Sequence, residues 1–344
     1  MNLTQPSIQQ TFDELLQQAC VQKIPDVHFM PSKVAYDVLF RQHQQLTKVQ
    51  ELSVDQVERL VTYMKYLANL NIAEKRKPQS GAFYKEVDGA NYHFRLSTLP
   101  SILNKESIVL RIHSPHVALS LSELAYFPSV TVQLEALLDE KQGIVFVTGA
   151  TGSGKTTTLY ACLQYVTQQL HKHVITLEDP VEVVYEQALQ VQVNEQAGMS
   201  YANGLRAILR HTPDVIFVGE IRDAATAEIA IRAALTGHLV LSTIHAKDTI
   251  GCIYRLMDFG ISLEDIRQTL RAIIAQTLVD VQEDDEKTQK ALYEILTQHD
   301  LVEALAHVAA KKSYALPTKK QLHYQKEVVM KLEYSTTTAF AKKA

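Results

Sequence analysis

The chain of 344 residues has no tryptophan and only three cysteines, Cys20, Cys162 and Cys252. An odd number of widely spaced thiols argues against a disulfide framework and against a four-cysteine zinc site, and fits incidental thiols in a reducing compartment. No window approaches the ~18 to 20 uncharged apolar residues that a membrane helix needs. The opening residues, MNLTQPSIQQ, contain no basic stretch followed by an apolar one, so no secretory signal is expected. The chain is therefore expected to be soluble, with any membrane contact peripheral. Excess charge is also missing: the formal net value is -4, which gives no global reason to expect a nucleic-acid binder. Glycine is absent before Gly81 and after Gly260. Backbone that must bend sharply or approach a ligand is thus confined to the middle of the chain.

What is present is ordinary in bulk and informative in order. A hydrophobic fraction of 46% and a charged fraction of 21% are those of a globular protein, and the length suits two compact domains. From Ser53 to about Leu70, the residues Val54, Val57, Leu60, Val61, Met64, Leu67 and Ala68 follow helical spacing, and Ser53 with Gln56 forms a candidate capping box. Strand-like runs follow at Tyr92–Leu96 and Ser107–Ile112, separated by a turn around Pro100–Lys105. The segment from Ile112 to Ser120, with Pro115 in it, is the candidate linker. Beyond it, short β-branched runs at Ile144–Thr148, Val174–Leu177, Val215–Gly219 and Leu239–Ser242 alternate with helical stretches. One such helix spans Asp223–Leu235 with Asp223 as N-cap; another starts at Ser262 and runs to about Leu278. That alternation predicts a mostly parallel sheet covered by helices. Glu283–Glu286 reads as a solvated acidic loop. From Lys311 onward eight lysines stand against two glutamates, a composition that reads as a partly disordered basic end.

The strongest chemical signal is Gly149-Ala-Thr-Gly152-Ser153-Gly154-Lys155-Thr156, which fits the phosphate-loop pattern G-x-x-x-x-G-K-[ST]. It sits after a strand and before an apolar helix, where inward-turned backbone N–H groups and a helix N-terminus can both face phosphate. Lys155 supplies a point charge to the β- and γ-phosphates, and Thr156 offers a hydroxyl to Mg²⁺. Thr157 completes the candidate nucleotide-binding set. Hydrolysis needs further groups at neighbouring strand ends. Glu178 ends one strand run and Glu220 follows another, so both are candidates, although each alone could be a helix cap or a surface group.

With these segments in hand a family resemblance becomes specific. Ile175-Thr-Leu-Glu178-Asp179-Pro180-Val181-Glu182 resembles the aspartate box of the type II secretion and type IV pilus ATPases. Pro213-Asp214-Val-Ile-Phe-Val-Gly219-Glu220-Ile221-Arg222-Asp223 resembles their atypical Walker B segment, and Thr236-Gly237-His238-Leu-Val-Leu-Ser-Thr243-Ile-His245-Ala246 their histidine box. Upstream, Asp26-Val27-His28-Phe29 and Phe94-Arg95-Leu-Ser97-Thr98-Leu-Pro100, then Val109-Leu-Arg111, resemble the domain that precedes the motor.

The resemblance implies an α/β fold: a RecA-like P-loop motor at 116–280, a smaller α+β N-terminal domain at 1–115, and a short helical C-terminal part at 281–344. It further implies a homohexamer that binds ATP and Mg²⁺ and works on a polytopic membrane platform protein, hence indirectly on pilins. Such a protein is cytoplasmic and peripheral on the inner face of the cell membrane, with no direct nucleic-acid contact. Arg95 and Arg111 match the family's arginine fingers, and His238 and His245 its two box histidines. Glu178 and Glu220 match its acidic positions, one as water-activating base and one on the Mg²⁺ side. Glu178 is the favoured base.

Departures narrow the match. The chain has no four-cysteine zinc loop, leaves no room for the extra N-terminal domain many members carry, and lacks the C-terminal signature of retraction motors. Leu209-Arg210-His211-Thr212-Pro213 differs from the usual glutamine-aspartate at its middle pair. Thr277 stands where an arginine is customary in Ala275-Gln276-Thr277-Leu278-Val279. The short, zinc-free form looks most like the assembly ATPases of competence pili. Alternatives within the family are secretion and pilus retraction. Outside it stand a RecA-like nucleic-acid translocase, which the basic tail favours and the acidity opposes, and a nucleotide-gated scaffold without turnover.

Overall fold

In the computed structural model, which describes residues 7–42, 45–113, 119–283 and 286–341, the chain divides into two units, Met1–Val117 and Ala118–Ala344. The division falls inside the expected linker, whose residues 114–118 lie outside the described ones.

The N-terminal unit opens with α1 (Ile8–Val21), β1 (Asp26–Pro31), β2 (Ala35–Gln42) and β3 (Gln45–Ser53). It continues through α2 (Val54–Leu67), β4 (Gln79–Val87), β5 (Ala90–Pro100) and β6 (Glu106–His113). The six strands form one antiparallel sheet in the order β3-β2-β1-β6-β5-β4. Period-two alternation decides its two faces. Phe94 and Leu96 of β5 and Ile108, Leu110 and Ile112 of β6 turn toward α1 and α2 and join one buried core with Phe12, Leu60 and Met64. The expected capping box starts α2, with Ser53 Oγ accepting from Gln56 N at 3.3 Å and Gln56 Oε1 accepting from Ser53 N at 3.0 Å.

Among the apolar residues of α2 lies one cation that the sequence pattern did not mark. Lys65 is 1% exposed; its Nζ lies 2.8 Å from Glu106, itself 5% exposed, and donates to the Glu74 carbonyl at 2.7 Å. The pair ties α2, the start of β6 and the loop after α2 together in a place where neither charge can reach water.

The second unit begins with α3 (Leu121–Leu124), α4 (Pro128–Asp139), β7 (Gly143–Thr148), α5 (Lys155–Gln168), β8 (Val174–Glu178) and β9 (Leu189–Gln192). Next come α6 (Tyr201–Ile208), β10 (Val215–Val218), α7 (Ala224–Leu235), β11 (Leu239–Thr243), α8 (Thr249–Asp258) and α9 (Leu263–Thr269). It closes with β12 (Leu270–Glu283), β13 (Glu286–Thr297), α10 (Gln298–Ala309) and α11 (Leu322–Ala341). The seven strands run β13-β12-β7-β11-β10-β8-β9; all neighbours are parallel except the β12–β13 hairpin. Both faces are covered, one by the core around α6 to α10 and the other by the core around α4 and α5. The fold is a RecA-like α/β unit preceded by a smaller α+β unit.

Four expectations are corrected here. The helix from Ser262 stops at Thr269 instead of reaching Leu278, because Leu270–Ala275 forms a strand beside β7 with Ile273 in one core and Ala272 and Ile274 in the other. A continuous apolar run fits a doubly buried strand as well as a helix, and the sequence period does not separate the two. Residues 281–297 then belong largely to the hairpin of the motor sheet rather than to a helical C-terminal region. Of the acidic loop expected at Glu283–Glu286, the two end residues are strand partners and residues 284–285 lie outside the described ones. The basic end, read as partly disordered, is helical over Leu322–Ala341 and seats Val329 against Val279, Val281 and Leu292.

The buried ion pair gives a stability test. Glu106→Ala leaves Lys65 charged and unpaired in the core and is expected to cost about 3–5 kcal/mol by chemical denaturation. The double change Lys65→Met with Glu106→Leu is expected to recover most of that loss; a double variant as unstable as the single one contradicts the account.

Candidate functional site

Parallel strands end on one edge of the sheet, and the ends of β7, β8, β10 and β11 together line a cleft of about 340 Å³. The phosphate loop leaves β7 at Gly149, whose φ of 144° lies in the region that side-chain-bearing residues avoid. A Cβ there would sit 2.5 Å from the Gln276 carbonyl oxygen, so the close approach to β12 requires glycine. Gln276 answers with its side chain, donating from Nε2 to the Ser153 carbonyl at 2.8 Å while buried at 3% exposure. Helix α5 starts from Gly154 in the left-handed conformation, so the N–H groups of its first turn open on the loop.

Lys155 Nζ lies across the loop, donating to the Gly149 and Ala150 carbonyls at 3.0 and 2.9 Å. Burial holds its pKa below the usual lysine value, opposed by the charge of Glu220. Gly152, Lys155 and Thr156 line the cleft. Ser153 is buried with an unpartnered hydroxyl, and Thr157 is half-buried beside them.

The two glutamates meet the same cleft in different environments. Glu178, 4% exposed, accepts from Tyr160 Oη at 2.6 Å, Thr176 Oγ1 at 2.7 Å and Gln190 Nε2 at 3.2 Å. Burial raises its pKa, and those three donors pull the other way. Glu220 is paired instead: Arg222 Nε lies 2.7 Å from one oxygen and His245 Nε2 3.1 Å from the other. Arg222 also reaches Asp179 at 3.6 Å, so one guanidinium spans the acids that follow β8 and β10. The backbone that carries these groups is tied across strands. Thr243 Oγ1 donates to the Gly219 carbonyl at 2.7 Å, and Thr148 Oγ1 donates to the Ala246 carbonyl at 2.9 Å.

Lys155, Thr156, Glu178, Glu220 and His245 are thus brought together, and His238 is not. It precedes β11, opposite the cleft, where Nδ1 lies 3.1 Å from the Ala233 carbonyl. The five residues of β11 separate it from the nucleotide edge, about 17 Å at strand rise. The sequence reading makes His238 and His245, flanking one strand, sensors that hydrogen-bond across the site; within this unit only His245 lines the cleft.

Arg95 and Arg111 belong to the N-terminal unit. They face each other across β5 and β6 on the sheet surface turned away from α1 and α2, and Asp26 follows in register on β1. Arg111 is held by Asp26 at 2.7 and 3.4 Å, whereas Arg95 is exposed and has no carboxylate partner among the described residues. The three cysteines are buried and free; burial pushes the Cys20 thiol up to about 11 and that of Cys162 to about 12.

Sequence reasoning missed Tyr160, Gln190, Arg222 and Gln276. Arg222 and Gln276 each stood inside a quoted segment without a role. Tyr160 and Gln190 left no signal, since only folding brings them to Glu178.

The family model for the type II/IV secretion system protein matches residues 3–328. "Competence protein ComGA" of Bacillus subtilis (strain 168) is 46% identical over 275 residues, covering 80% of this chain and 77% of that protein. "Type IV pilus assembly ATPase TfpB" of Acinetobacter baylyi is 42% identical over 270 residues, 78% of this chain but 46% of the longer relative. Among solved structures, the pilus retraction motor PilT with bound ADP superimposes with a TM-score of 0.69 at 27% identity, over 87% of this chain and 88% of that one.

A pH–rate measurement tests the setting of Glu178. A carboxylate acting as base works ionised, so turnover falls as pH drops through its pKa. Tyr160→Phe removes a donor that holds that pKa down, and the acid limb of the kcat profile is expected to move to higher pH. An unmoved limb excludes Glu178 as the titrating base.

Proposed function

We propose that this chain, which belongs to the type II/IV secretion system protein family, is a ring-forming ATPase that drives assembly of a competence-type pilus. ATP hydrolysis is the activity shared by the secretion and pilus ATPases that the chain resembles. The observation that carries the reading is the single cleft in which a phosphate loop, Glu178, Glu220 and His245 converge. A nucleotide-gated scaffold would need the loop but not the two acids.

In the proposed reaction the loop N–H groups and the α5 N-terminus hold the phosphates, and Lys155 turns its hydrogen bonds from the loop carbonyls to phosphate oxygens. Glu178 orients the attacking water and accepts its proton. Burial raises the pKa of this acid and so strengthens it as a base. Tyr160, Thr176 and Gln190 keep it from turning away. His245 reports on Glu220, to which it is bonded.

No cluster of three or more metal-ligating side chains occurs among the described residues. Mg²⁺ shared with phosphates and water needs only one or two protein oxygens, and Thr156 and Glu220 offer hard oxygen donors in the same cleft. They would hold the ion, which when bound supplies charge to the phosphate oxygens. Arg95 is the better finger of the two arginines, since its guanidinium is uncommitted; Arg111 is oriented by Asp26.

At the level of assembly, the proposal places six copies in a ring against a polytopic membrane platform protein, with pilins moved indirectly. No helix among the described residues is long and apolar enough to cross a membrane, so such contact would be peripheral. The resemblance to "Competence protein ComGA" supports the competence pilus over secretion or retraction.

Lys155→Ala is expected to abolish phosphate release and pilus formation together; normal pili in that strain would sink the proposal. Glu178→Gln should lower kcat by about 10²–10⁴-fold while nucleotide still binds. For the arginines, Arg95→Ala should reduce kcat by about 10³-fold without weakening ADP binding in the isolated chain. Equal turnover in the variant and the parent removes Arg95 from the mechanism.

A further inference from the structure

Tyr201 is the first residue of α6, and it lines the cleft that holds the phosphate loop. The start of this helix is fixed from several sides. Ser200 caps it, with Oγ accepting from Asn203 N at 3.2 Å, and Leu205 and Ile208 anchor it in the core. One turn on, Gly204 lets the helix press against β8, since a Cβ there would lie 2.8 Å from Leu177 Cδ1. This packing brings Tyr201 to the strand ends. Its Oη stands over Gly219, 3.2 Å from where a Cβ on that residue would be. A larger residue after β10 would contest that space, so the glycine leaves room for a hydroxyl delivered from another element.

The hydroxyl is free and reachable. Tyr160 Oη is bonded to Glu178, whereas Tyr201 Oη has no hydrogen-bond partner among the described residues. Tyr201 is half-buried, and its oxygen is open to the cleft rather than enclosed.

Its surroundings decide what it can offer. Four carboxylates, Glu178, Asp179, Glu182 and Glu220, line the same cleft, and Arg222 among them is committed to Glu220 and Asp179. Burial, with the charges of Asp179, Glu220 and Glu178, raises the pKa of the phenol, and only Arg222 opposes them. Tyr201 therefore keeps its proton and is a donor, not a base.

We propose, on the reading of this cleft as a site of ATP hydrolysis, that Tyr201 is a further catalytic residue whose hydroxyl donates to an oxygen of the terminal phosphate. The phosphate loop cradles the inner phosphates and Lys155 reaches the last two, so the terminal one faces the side formed by Glu178, Glu220 and Tyr201. Against that acidic side, a neutral O–H adds a hydrogen bond without adding negative charge. The bond strengthens as charge gathers on the phosphoryl oxygens, and no proton leaves the tyrosine. ADP ends one phosphate short of the hydroxyl, so Tyr201 distinguishes the two nucleotides.

Calorimetry on the full chain compares ADP with the non-hydrolysable analogue β,γ-imido-ATP. Tyr201→Phe keeps the ring against the core and removes only the oxygen, so thermal stability is expected to be unchanged. In this variant the analogue should bind about tenfold more weakly and ADP as tightly as in the parent. Its kcat should fall by about 10²-fold. A merely structural ring would leave the ratio of the two affinities where it was, and an unmoved ratio overturns the contact whatever happens to turnover. A parent chain that binds neither nucleotide overturns the reading of the cleft and the role of Tyr201 with it. A parent that binds both, with the ratio unchanged in Tyr201→Phe, overturns the role of Tyr201 alone.

Discussion

Parallel pairing of β7, β11, β10 and β8 is the constraint from which the site follows. Their registers align Gly143 with Leu239, Leu239 with Val215, and Val215 with Val174, so the strands stop within a residue or two of one another. Everything that a strand's last residue leads into therefore emerges on one edge: the phosphate loop after Thr148, Glu178 with Asp179, Glu220 after Gly219, and His245 after Thr243. Residues separated by almost a hundred positions in the chain become neighbours without any loop needing to travel. Threonine hydroxyls then lock the edge, Thr148 to Ala246 and Thr243 to Gly219, so the chemistry stands on rigid strand ends rather than on free loops.

Within that edge, two carboxylates of like charge are kept distinct by surroundings. Glu178 is withdrawn from water and wrapped by neutral donors, which raises its proton affinity while fixing its direction. Glu220 is matched with cations, Arg222 and His245. A buried, neutrally solvated acid suits proton transfer, and an acid already in a cationic setting suits charge stabilisation. The same cleft thus holds two roles without two scaffolds. Gln276 adds a different contribution. It ties the loop to β12, so the hairpin that extends the sheet also braces the nucleotide cradle, and the opposite strand of that hairpin carries Tyr293 to α5.

The N-terminal unit solves another problem with the same economy. Its antiparallel sheet has one face packed under α1 and α2, and the other carries the row Asp26, Arg111, Arg95 across three neighbouring strands. Alternation alone dictates that row, because Phe94, Leu96, Leu110 and Ile112 point into the core. The Lys65–Glu106 pair has no counterpart in such a pattern. It persists because each charge satisfies the other where no water reaches.

The sequence by itself determined the alternation of strands and helices around the phosphate loop, that loop, the two acidic strand ends, the outward arginines and the family. These are local properties: a period, a cap such as Ser53 with Gln56, or glycines whose spacing has one geometric use. It misjudged the stretch after Thr269, where a run apolar on both sides fits helix and strand alike and only the neighbouring β7 decides. It also assigned His238 and His245 to one site, although the strand legible between them sets one at each end of β11 and only His245 at the cleft. The environment of Glu178, the buried Lys65, the brace at Gln276 and the place of Tyr201 over Gly219 were decided by tertiary structure alone. Each depends on which side chains fold onto one another across long stretches of chain, and burial, which sets the energy of a charge or an unpaired oxygen, is not a property of any residue until the fold surrounds it.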